Sequence, residues 1–234
     1  LVFSAHMDTL PVGEGPWTHP PFAGVRVGGR LYGRGACDMK SGLAAMIAAA
    51  AALRAEPPPL AGDLVLAFTG GESSNCLGAR RLVETRALDG ASALLVSEPS
   101  SLELLVAEKA ALWLEVTAQG VAGHLSDAGG GGRDAIAMMT AALPGLANAL
   151  PAGTHPLLGA ASLNVGRIAG GTAINLTPDR CTADIDLRLL PAHDPDAVEA
   201  AVRTRLGEGF DVERLDWKPA VDTPVDDPFV RLCR

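Results

Sequence analysis

The chain has 234 residues, of which 48% are hydrophobic and 20% charged, and this excludes a disordered chain. The formal net charge is −8, and the sequence contains no cluster of lysine and arginine. Neither nucleic acid nor an anionic membrane surface is therefore expected as a partner. The longest apolar stretch, Gly42 to Leu53, is too short to cross a membrane as a helix.

In the first hundred residues, predicted strands alternate with predicted helices. The later two strands are nearly continuous apolar runs, which are typical of strands buried on both faces. The order predicts an α/β fold with a mostly parallel sheet flanked by helices, whose functional residues gather beyond the carboxyl ends of the strands. The predicted elements are a strand at Leu1–Ala5, a hairpin at Val25–Tyr32, a helix at Ser41–Ala55, a strand at Leu64–Thr69, a helix at Leu77–Arg86 and a strand at Ala91–Val96.

The pattern changes near residue 109. Leu112, Leu114 and Val116 alternate with more polar residues, which predicts a half-exposed strand. The order that follows, β-α-β-β-α-β, is that of a ferredoxin-like unit. Its other elements are a helix at Asp134–Leu150, strands at Ser162–Ile168 and Cys181–Leu189, a helix from Asp194 to Leu206 and a strand at Phe210–Trp217.

We therefore predict a catalytic domain made of residues 1–108 and 218–234, with an α+β domain inserted at 109–217. The chain opens on Leu1, in what reads as a strand already under way, and it stops at Arg234 inside a helix that begins at Asp227-Pro228. We expect the catalytic domain to be incomplete at both ends.

The four cysteines are scattered and form no CxxC pair, so a cysteine-based zinc site is not expected. Reduced thiols in the cytoplasm are the preferred interpretation. The cysteines are Cys37, Cys76, Cys181 and Cys233.

Candidate catalytic groups follow the strand ends. The His6 imidazole can bind zinc through one ring nitrogen while the Asp8 carboxylate orients the ring through the other; the alternative is a surface histidine. Glu72 and Glu98 follow the next two strands. Glu72 near a metal could accept a proton from water, or it could simply cap the following helix.

Asp38 lies at a loop-to-helix junction. Its two carboxylate oxygens could bridge two metal ions. The alternative is that Asp38 or Ser41 caps the alanine-rich helix. Taken singly, each of these signals is weak, and Glu98 by itself is an ordinary residue at a strand exit.

Taken together, the segments resemble the M20 family of metallopeptidases and deacylases, in its acetylornithine deacetylase and succinyl-diaminopimelate desuccinylase branch. The resemblance covers essentially the whole chain. The matching segments are SAHMDTLPVG, GRLYGRGACDMKSGLAAMI, GESSNCLGAR, SEPS, EKAALWLEVTAQGVAGH and GGTAINLTPDRCTADIDLRLLP.

The resemblance implies that His6 and Glu98 bind one zinc ion and that Asp38 bridges to a second; cobalt is a further candidate. Asp8 would support His6. Glu72 would be the general base that activates water and would then protonate the departing amine.

For the inserted domain, the resemblance implies a homodimer in which His124 stabilises the oxyanion at a neighbouring subunit's active site. Asn175 and Arg188 match positions that contact substrate, and Arg188 suits a substrate carboxylate. Asp134 stands where the family commonly has asparagine.

Two departures concern the second metal ion. Ser73 stands where the family has a second acidic residue that is a metal ligand, and a neutral hydroxyl is a poor zinc ligand. The chain also ends before the family's C-terminal histidine ligand. We expect one zinc ion to bind well, and a second poorly or not at all.

The sequence is thus expected to specify zinc-dependent hydrolysis of an amide in an N-acyl amino acid or small peptide. The alternative is a catalytically impaired relative that serves in binding or assembly. Other α/β chemistries are not supported, because GxSxG, GxxxxGK and a GxGxxG after a strand are all missing.

Overall fold

The computed structural model describes residues 1–73, 75–124, 126 and 132–234. Residues 74, 125 and 127–131 lie outside this description, and with them part of the glycine-rich run ahead of Asp134 and one residue of the GESSNCLGAR segment. The chain divides into two units, Leu1–Leu104 and Leu105–Arg234.

The first unit is built on a parallel sheet of three strands in the order β4-β1-β5, with each strand running in the same direction. The predicted α/β order is confirmed, including the hairpin that turns at Gly28-Gly29. The elements are β1 (Val2–His6), β2 (Val25–Val27), β3 (Arg30–Tyr32), α1 (Lys40–Ala55), β4 (Val65–Thr69), α2 (Leu77–Glu84) and β5 (Leu94–Val96).

A small apolar core joins α1 to one face of this sheet. Met39 and Met46 are buried there together with Ala5 of β1, and Phe3 and Phe68 pack against them. This packing fixes the start of α1 above the central strand.

The prediction that β4 and β5 are buried on both faces is wrong for this unit. Val65 of β4 and Leu94 of β5 are the pairing partners of Val2 on the two neighbouring strands, so their side chains lie on the same face of the sheet. Val65 is nevertheless 41% exposed and Leu94 53% exposed. Leu95, on the opposite face, packs against the α1 core. The strands are apolar throughout, but within this unit α1 covers only one of their faces.

The second unit contains an antiparallel sheet in the order β11-β13-β7-β14, which is the strand order of a ferredoxin-like fold. Its elements are β6 (Ala107–Glu108), β7 (Ala110–Gln119), β8 (Gly123–His124), α3 (Ala135–Ala142), a 3-10 helix (Leu143–Ala149), β9 (Thr154–His155), β10 (Gly159–Ala160), β11 (Ser162–Gly170), β12 (Leu176–Thr177), β13 (Arg180–Leu189), α4 (Pro195–Leu206), β14 (Phe210–Lys218), β15 (Val221–Asp222) and α5 (Pro228–Cys233).

The core of the second unit lies between the sheet and α3 and α4. Leu112, Leu114 and Val116 point into it and are fully buried, as the predicted period of two requires. Asp134, the first residue of the predicted helix, is the N-cap of α3, and its carboxylate accepts hydrogen bonds from two backbone amides. The α-helix ends earlier than predicted, because Pro144 has no N–H to donate and the chain continues as a 3-10 helix.

The predicted return of residues 218–234 to the first domain stays a prediction. Val221 and Asp222 in β15 pair with β6, and both strands fall within the second unit. Asp227 caps α5 as the sequence indicated.

A charged network ties α4 to β14. Glu199 accepts hydrogen bonds from Arg203 at 2.6 Å and from Arg214 at 2.7 Å, and Arg214 also contacts Asp196 at 2.6 Å. Burial raises the pKa of Glu199, but the bonds from the two arginines outweigh it and hold the pKa below its ordinary value.

We expect Glu199→Gln to lower the free energy of unfolding of the second unit by about 1–3 kcal/mol, because charge-assisted bonds to two arginines are lost. Because the folded pKa is lowered, this stabilisation is present above the unfolded pKa and disappears as pH falls through the folded pKa. Urea denaturation at neutral and acidic pH measures both effects, with exposed Glu213→Gln as the matched control. Equal losses for the two variants would contradict the prediction.

No helix among the described residues is long and apolar enough to cross a membrane.

Candidate metal centre

The candidate residues of the first unit meet at the carboxyl edge of its sheet. His6 is the last residue of β1, Glu72 lies three residues beyond β4, and Glu98 lies two residues beyond β5. Because the three strands are parallel, their carboxyl ends share one rim. Asp38 reaches the same rim from the loop that precedes α1.

Three side chains converge there closely enough to share one ion. The Nε2 atom of His6 lies 3.1 Å from Oδ1 of Asp38 and 3.5 Å from Oε1 of Glu98. The potential ligand atoms of the three residues all lie within 4.8 Å of one another. Among the described residues, this is the one group of three or more histidine, cysteine or acidic side chains with such spacing.

The main chain sets the orientation of the His6 ring. Nδ1 lies 2.9 Å from the backbone carbonyl of Asp8, and a carbonyl can only accept, so Nδ1 carries a proton. The lone pair of the neutral ring is then on Nε2, which faces Asp38 and Glu98. The Asp8 carboxylate is 3.7 Å from Nδ1, beyond hydrogen-bond distance, so the carbonyl and not the carboxylate holds the ring.

Burial by itself lowers the pKa of His6, since the side chain is only 7% exposed. The Asp8 carbonyl and the negative charges of Glu98, Asp38 and Glu72 act in the opposite direction and outweigh burial, so the pKa lies above its ordinary value. A proton on Nε2 therefore competes with any metal ion for this position.

The position of Asp38 does not come from helix capping. Met39 is the N-cap of α1 and no side chain caps the helix, while Ser41 donates to the carbonyl of Cys37. Met39 is buried, and its sulfur accepts a hydrogen bond from the backbone N–H of His6 at 3.0 Å. The alternative that Asp38 serves as a cap is thus wrong, and its carboxylate is left directed at His6.

Gly42 allows α1 to approach the end of β5. A Cβ atom at Gly42 would overlap the carbonyl oxygen and the side chain of Ser97, the residue next to Glu98. Absence of a side chain at residue 42 therefore permits the short distance between the Asp38 loop and Glu98.

We expect Gly42→Ala to weaken metal binding, because relief of the overlap moves Glu98 away from Asp38. Overpacking of this kind costs typically about 1–3 kcal/mol, which corresponds to roughly a 5- to 150-fold loss if it falls wholly on metal affinity. Titration with Zn²⁺ measures the effect. The matched control is Gly62→Ala, where a Cβ atom would meet nothing within 4 Å. Unchanged affinity in Gly42→Ala would show that the close approach is not needed.

The Asp8 carboxylate binds the loop that carries Glu72. Oδ1 accepts from the backbone N–H of Glu72 at 3.2 Å, and Oδ2 accepts from the Ser73 backbone at 3.4 Å and from its hydroxyl at 3.1 Å. Burial raises the pKa of Asp8, but these hydrogen bonds lower it further than burial raises it, so the carboxylate stays ionised.

Glu72 is not the cap of α2. The N-cap is Cys76, and its own side chain makes no capping hydrogen bond. The Glu72 carboxylate instead acts on the metal centre through its charge, as one of the groups that raise the pKa of His6.

In the second unit, the structure brings His124 and Asn175 together. β8 pairs with β12 so that His124 lies opposite Leu176, the neighbour of Asn175. The Nε2 atom of His124 is 2.9 Å from the side-chain amide of Asn175, and Nδ1 is 2.6 Å from the Ser126 hydroxyl. Ser126 was not predicted; its place two residues after His124 is the signal that could have indicated it.

Arg188 does not join this pair within the described contacts. It lies near the far end of β13, whereas Asn175 precedes that strand. Asp186 accepts from Arg188 Nε at 3.0 Å and from Trp113 Nε1 at 3.1 Å. Asp186 was not predicted, although it lies two residues before Arg188 on β13 and residues two apart on a strand share a face.

Residues 2–234 match the family Peptidase family M20/M25/M40. The succinyl-diaminopimelate desuccinylase of Paracoccus denitrificans is 33% identical over 247 residues, covering 98% of this chain and 64% of that protein. The enzyme of the same name from Rhodospirillum centenum is 35% identical, over 88% of this chain and 56% of that protein. The chain thus spans less than two thirds of the length of these relatives.

Solved structures share the fold. An M20 family metallo-carboxypeptidase from Sulfolobus solfataricus superposes with a TM-score of 0.78 at 19% identity, covering 98% of this chain and 67% of that one. An aminopeptidase from Bacillus cereus gives a TM-score of 0.71 at 24% identity, covering 99% and 61%. With a family match over nearly every residue, the chain belongs to peptidase family M20/M25/M40.

Proposed function

We propose that this chain carries the metal centre of a zinc-dependent amidohydrolase that cleaves the amide bond of an N-acyl amino acid or small peptide. The observation that carries the proposal is the convergence of His6, Asp38 and Glu98 at the carboxyl edge of one parallel sheet. The similarity to desuccinylases supports an acylated amino acid as the substrate class.

The donor set fits zinc. One imidazole and two carboxylates are common zinc ligands, and three protein ligands with an open position are the usual catalytic arrangement. Asp38 and Glu98 keep their side chains 61% and 45% exposed, which leaves the centre open to substrate. A zinc ion held there would polarise a carbonyl and lower the pKa of water, and cobalt could replace it.

We assign Glu72 as the general base and acid. It follows a strand of the same rim, and Asp8 fixes its backbone beside the metal ligands. A carboxylate in this place can take a proton from the attacking water and deliver it to the departing amine.

The second unit supplies residues for substrate in this proposal. His124 and Asn175, already in contact, would stabilise the oxyanion, and Arg188 would bind a substrate carboxylate. As the resemblance implies, the unit would act in a homodimer that brings His124 to the partner's centre. A cytoplasmic location is part of the same proposal.

One metal ion per chain is expected. The Ser73 hydroxyl donates a hydrogen bond to the Asp8 carboxylate. A neutral hydroxyl is also a poor zinc ligand, so Ser73 is not expected to hold a second metal ion beside Asp38. Metal analysis after dialysis against Zn²⁺ measures the stoichiometry. Two tightly held ions per chain would contradict this prediction.

The function is tested by hydrolysis assays. The purified chain, loaded with Zn²⁺ or Co²⁺, is offered N-succinyl-diaminopimelate, N-acetylornithine and a few other N-acyl amino acids, with release of the free amine as the readout. Metal-dependent release that a chelator abolishes would support the proposal. A chain that binds zinc and substrate but cleaves none of them would instead support a role in binding or assembly.

A further inference from the structure

The four-stranded sheet of the second unit carries two cations in one row of its outward face. Arg188 of β13 and Lys218 of β14 are both pairing partners of Ala111 in β7. Directly paired residues on neighbouring strands point to the same face, and the core lies on the other face, into which Leu112 and Leu187 point. Because Ala111 contributes only a methyl group between them, the two long side chains can reach toward the same point.

Both cations are held beside the ring of Trp113, one row further along the sheet. The Nζ atom of Lys218 lies over the ring, 4.1 Å from its centroid, which is a cation–π contact. The Trp113 indole N–H donates to Asp186 at 3.1 Å, and Asp186 in turn accepts from Arg188. One aromatic side chain therefore fixes the first cation directly and the second through a carboxylate.

Each cation is neutralised from one side and keeps donors on another. Asp186 Oδ2 lies 3.0 Å from Nε and 2.9 Å from Nη2 of Arg188, so it occupies the Nε edge of the guanidinium. The Nη1–Nη2 edge has the geometry to bind another carboxylate as a fork. Lys218 lies 3.0 Å from Asp216 Oδ2, a contact that uses one of its three ammonium protons. The side chains of Arg188 and Lys218 are 43% and 28% exposed, so both are within reach of a ligand.

We propose that Lys218 is a second binding residue for the substrate carboxylate assigned above to Arg188, and that this carboxylate binds between the two cations beside Trp113. That the bound group belongs to a substrate rests on the proposed function; the two-cation site itself does not. Donors that are already held in place lose little freedom on binding, which favours an anionic group at this position.

The alternative is that Lys218 only neutralises Asp216. The Asp216 side chain is 7% exposed, and a buried carboxylate is costly unless it is paired. A variant that removes Lys218 alone would leave this carboxylate unpaired and would confuse folding with binding. The test therefore changes both members of the pair.

The experiment is an NMR titration of the full chain with N-acetylglycine, and N-acetylglycinamide is the uncharged probe of the same shape. A chelator keeps the metal centre from hydrolysing the probes. The readout is the indole N–H signal of Trp113, one of three tryptophans, which is identified by its loss in Trp113→Phe. We expect N-acetylglycine to shift this signal to saturation and N-acetylglycinamide to leave it in place.

The variants separate the two roles of Lys218. Asp216→Asn/Lys218→Gln removes the cation together with its counter-charge and is expected to bind N-acetylglycine about 3- to 10-fold more weakly, as for the loss of one hydrogen bond; Arg188→Gln is expected to do the same. Asp216→Asn alone leaves Lys218 without its counter-charge and is expected to bind the probe more tightly. The matched control is Arg167→Gln, which removes a cation that pairs with Asp184 at 3.0 Å on the same sheet and is expected to leave the affinity unchanged.

Unchanged affinity in the double variant would show that Lys218 only neutralises Asp216, and it would overturn the proposal. An equal response to the uncharged probe would overturn it as well, because the site would then not recognise charge. Should the double variant fail to fold, Asp216→Asn decides alone, and binding that is unchanged or weaker in this variant contradicts the proposal.

Failure of the proposed function gives a different result. A chain that hydrolyses no amide would still bind N-acetylglycine beside Trp113 if the two-cation site exists. Where hydrolysis is measurable, the Asp216→Asn/Lys218→Gln variant is expected to raise KM and to leave kcat nearly unchanged, because the lost contact is made equally in the substrate complex and in the transition state.

Discussion

Replacement of His6 by alanine is expected to abolish tight zinc binding. His6 is the buried member of the group, and its Nε2 faces both Asp38 and Glu98, so alanine at this position removes the single nitrogen ligand of the group. Loss of the hydrogen-bond partner of a metal-ligating residue costs about 10- to 100-fold in metal affinity. Loss of the metal-ligating residue itself is expected to cost more than about 100-fold. Titration with Zn²⁺ in competition with a chelator measures the change.

The matched control is His19→Ala in the same unit, where the ring contacts Tyr32 and lies outside the metal group. In the unaltered chain, zinc affinity is expected to rise with pH through the raised pKa of His6, because the proton that competes for Nε2 is then lost. His6→Ala variants that still bind zinc tightly would place the ion elsewhere and remove the basis of the proposed function.

The second large effect is expected for Glu72→Gln. Glutamine keeps the size and the backbone contact with Asp8 but cannot accept a proton, so hydrolysis is expected to fall by about 10²- to 10⁴-fold. Zinc affinity is expected to stay the same, because Glu72 does not belong to the ligand group. Rates of amine release at saturating substrate, with zinc content measured in parallel, separate these effects.

Glu84→Gln on α2 is the matched control. Its carboxylate makes an exposed contact with Arg81 at 3.3 Å, and exposed ion pairs contribute little to stability. Activity that survives in Glu72→Gln, with zinc bound, would assign the proton transfer to another residue.

The two units differ in how their sequences relate to burial. In the second unit, alternation along β7 correctly predicted that Leu112 and Leu114 are in the core, because a strand covered on one face alternates between two environments. In the first unit, the apolar runs of β4 and β5 predicted burial on both faces, yet Val65 and Leu94 remain exposed. An apolar run indicates a strand but does not specify what packs against it.

The same distinction applies to the metal centre. The order of the four candidate residues along the chain was readable from the sequence, and so was the place of His6, Glu72 and Glu98 at strand ends, since parallel strands bring their carboxyl ends to one edge. The two capping alternatives for Asp38 and Glu72 could be rejected only from the structure, where Met39 and Cys76 occupy the N-cap positions.

The sequence by itself determined which residues could form a metal centre, because residue types and the order of strands and helices along the chain can be read from local patterns. Only the tertiary structure decided how each side chain is used. It placed the Asp8 carbonyl on His6 and the Asp8 carboxylate on Ser73, residues that lie 65 positions apart in the latter case. It also joined Arg188 to Asp186 and set it apart from Asn175. A change of a few tenths of an ångström in the donor–acceptor distance decides whether a hydrogen bond forms. The folded structure sets that distance, and the spacing of residues along the sequence does not.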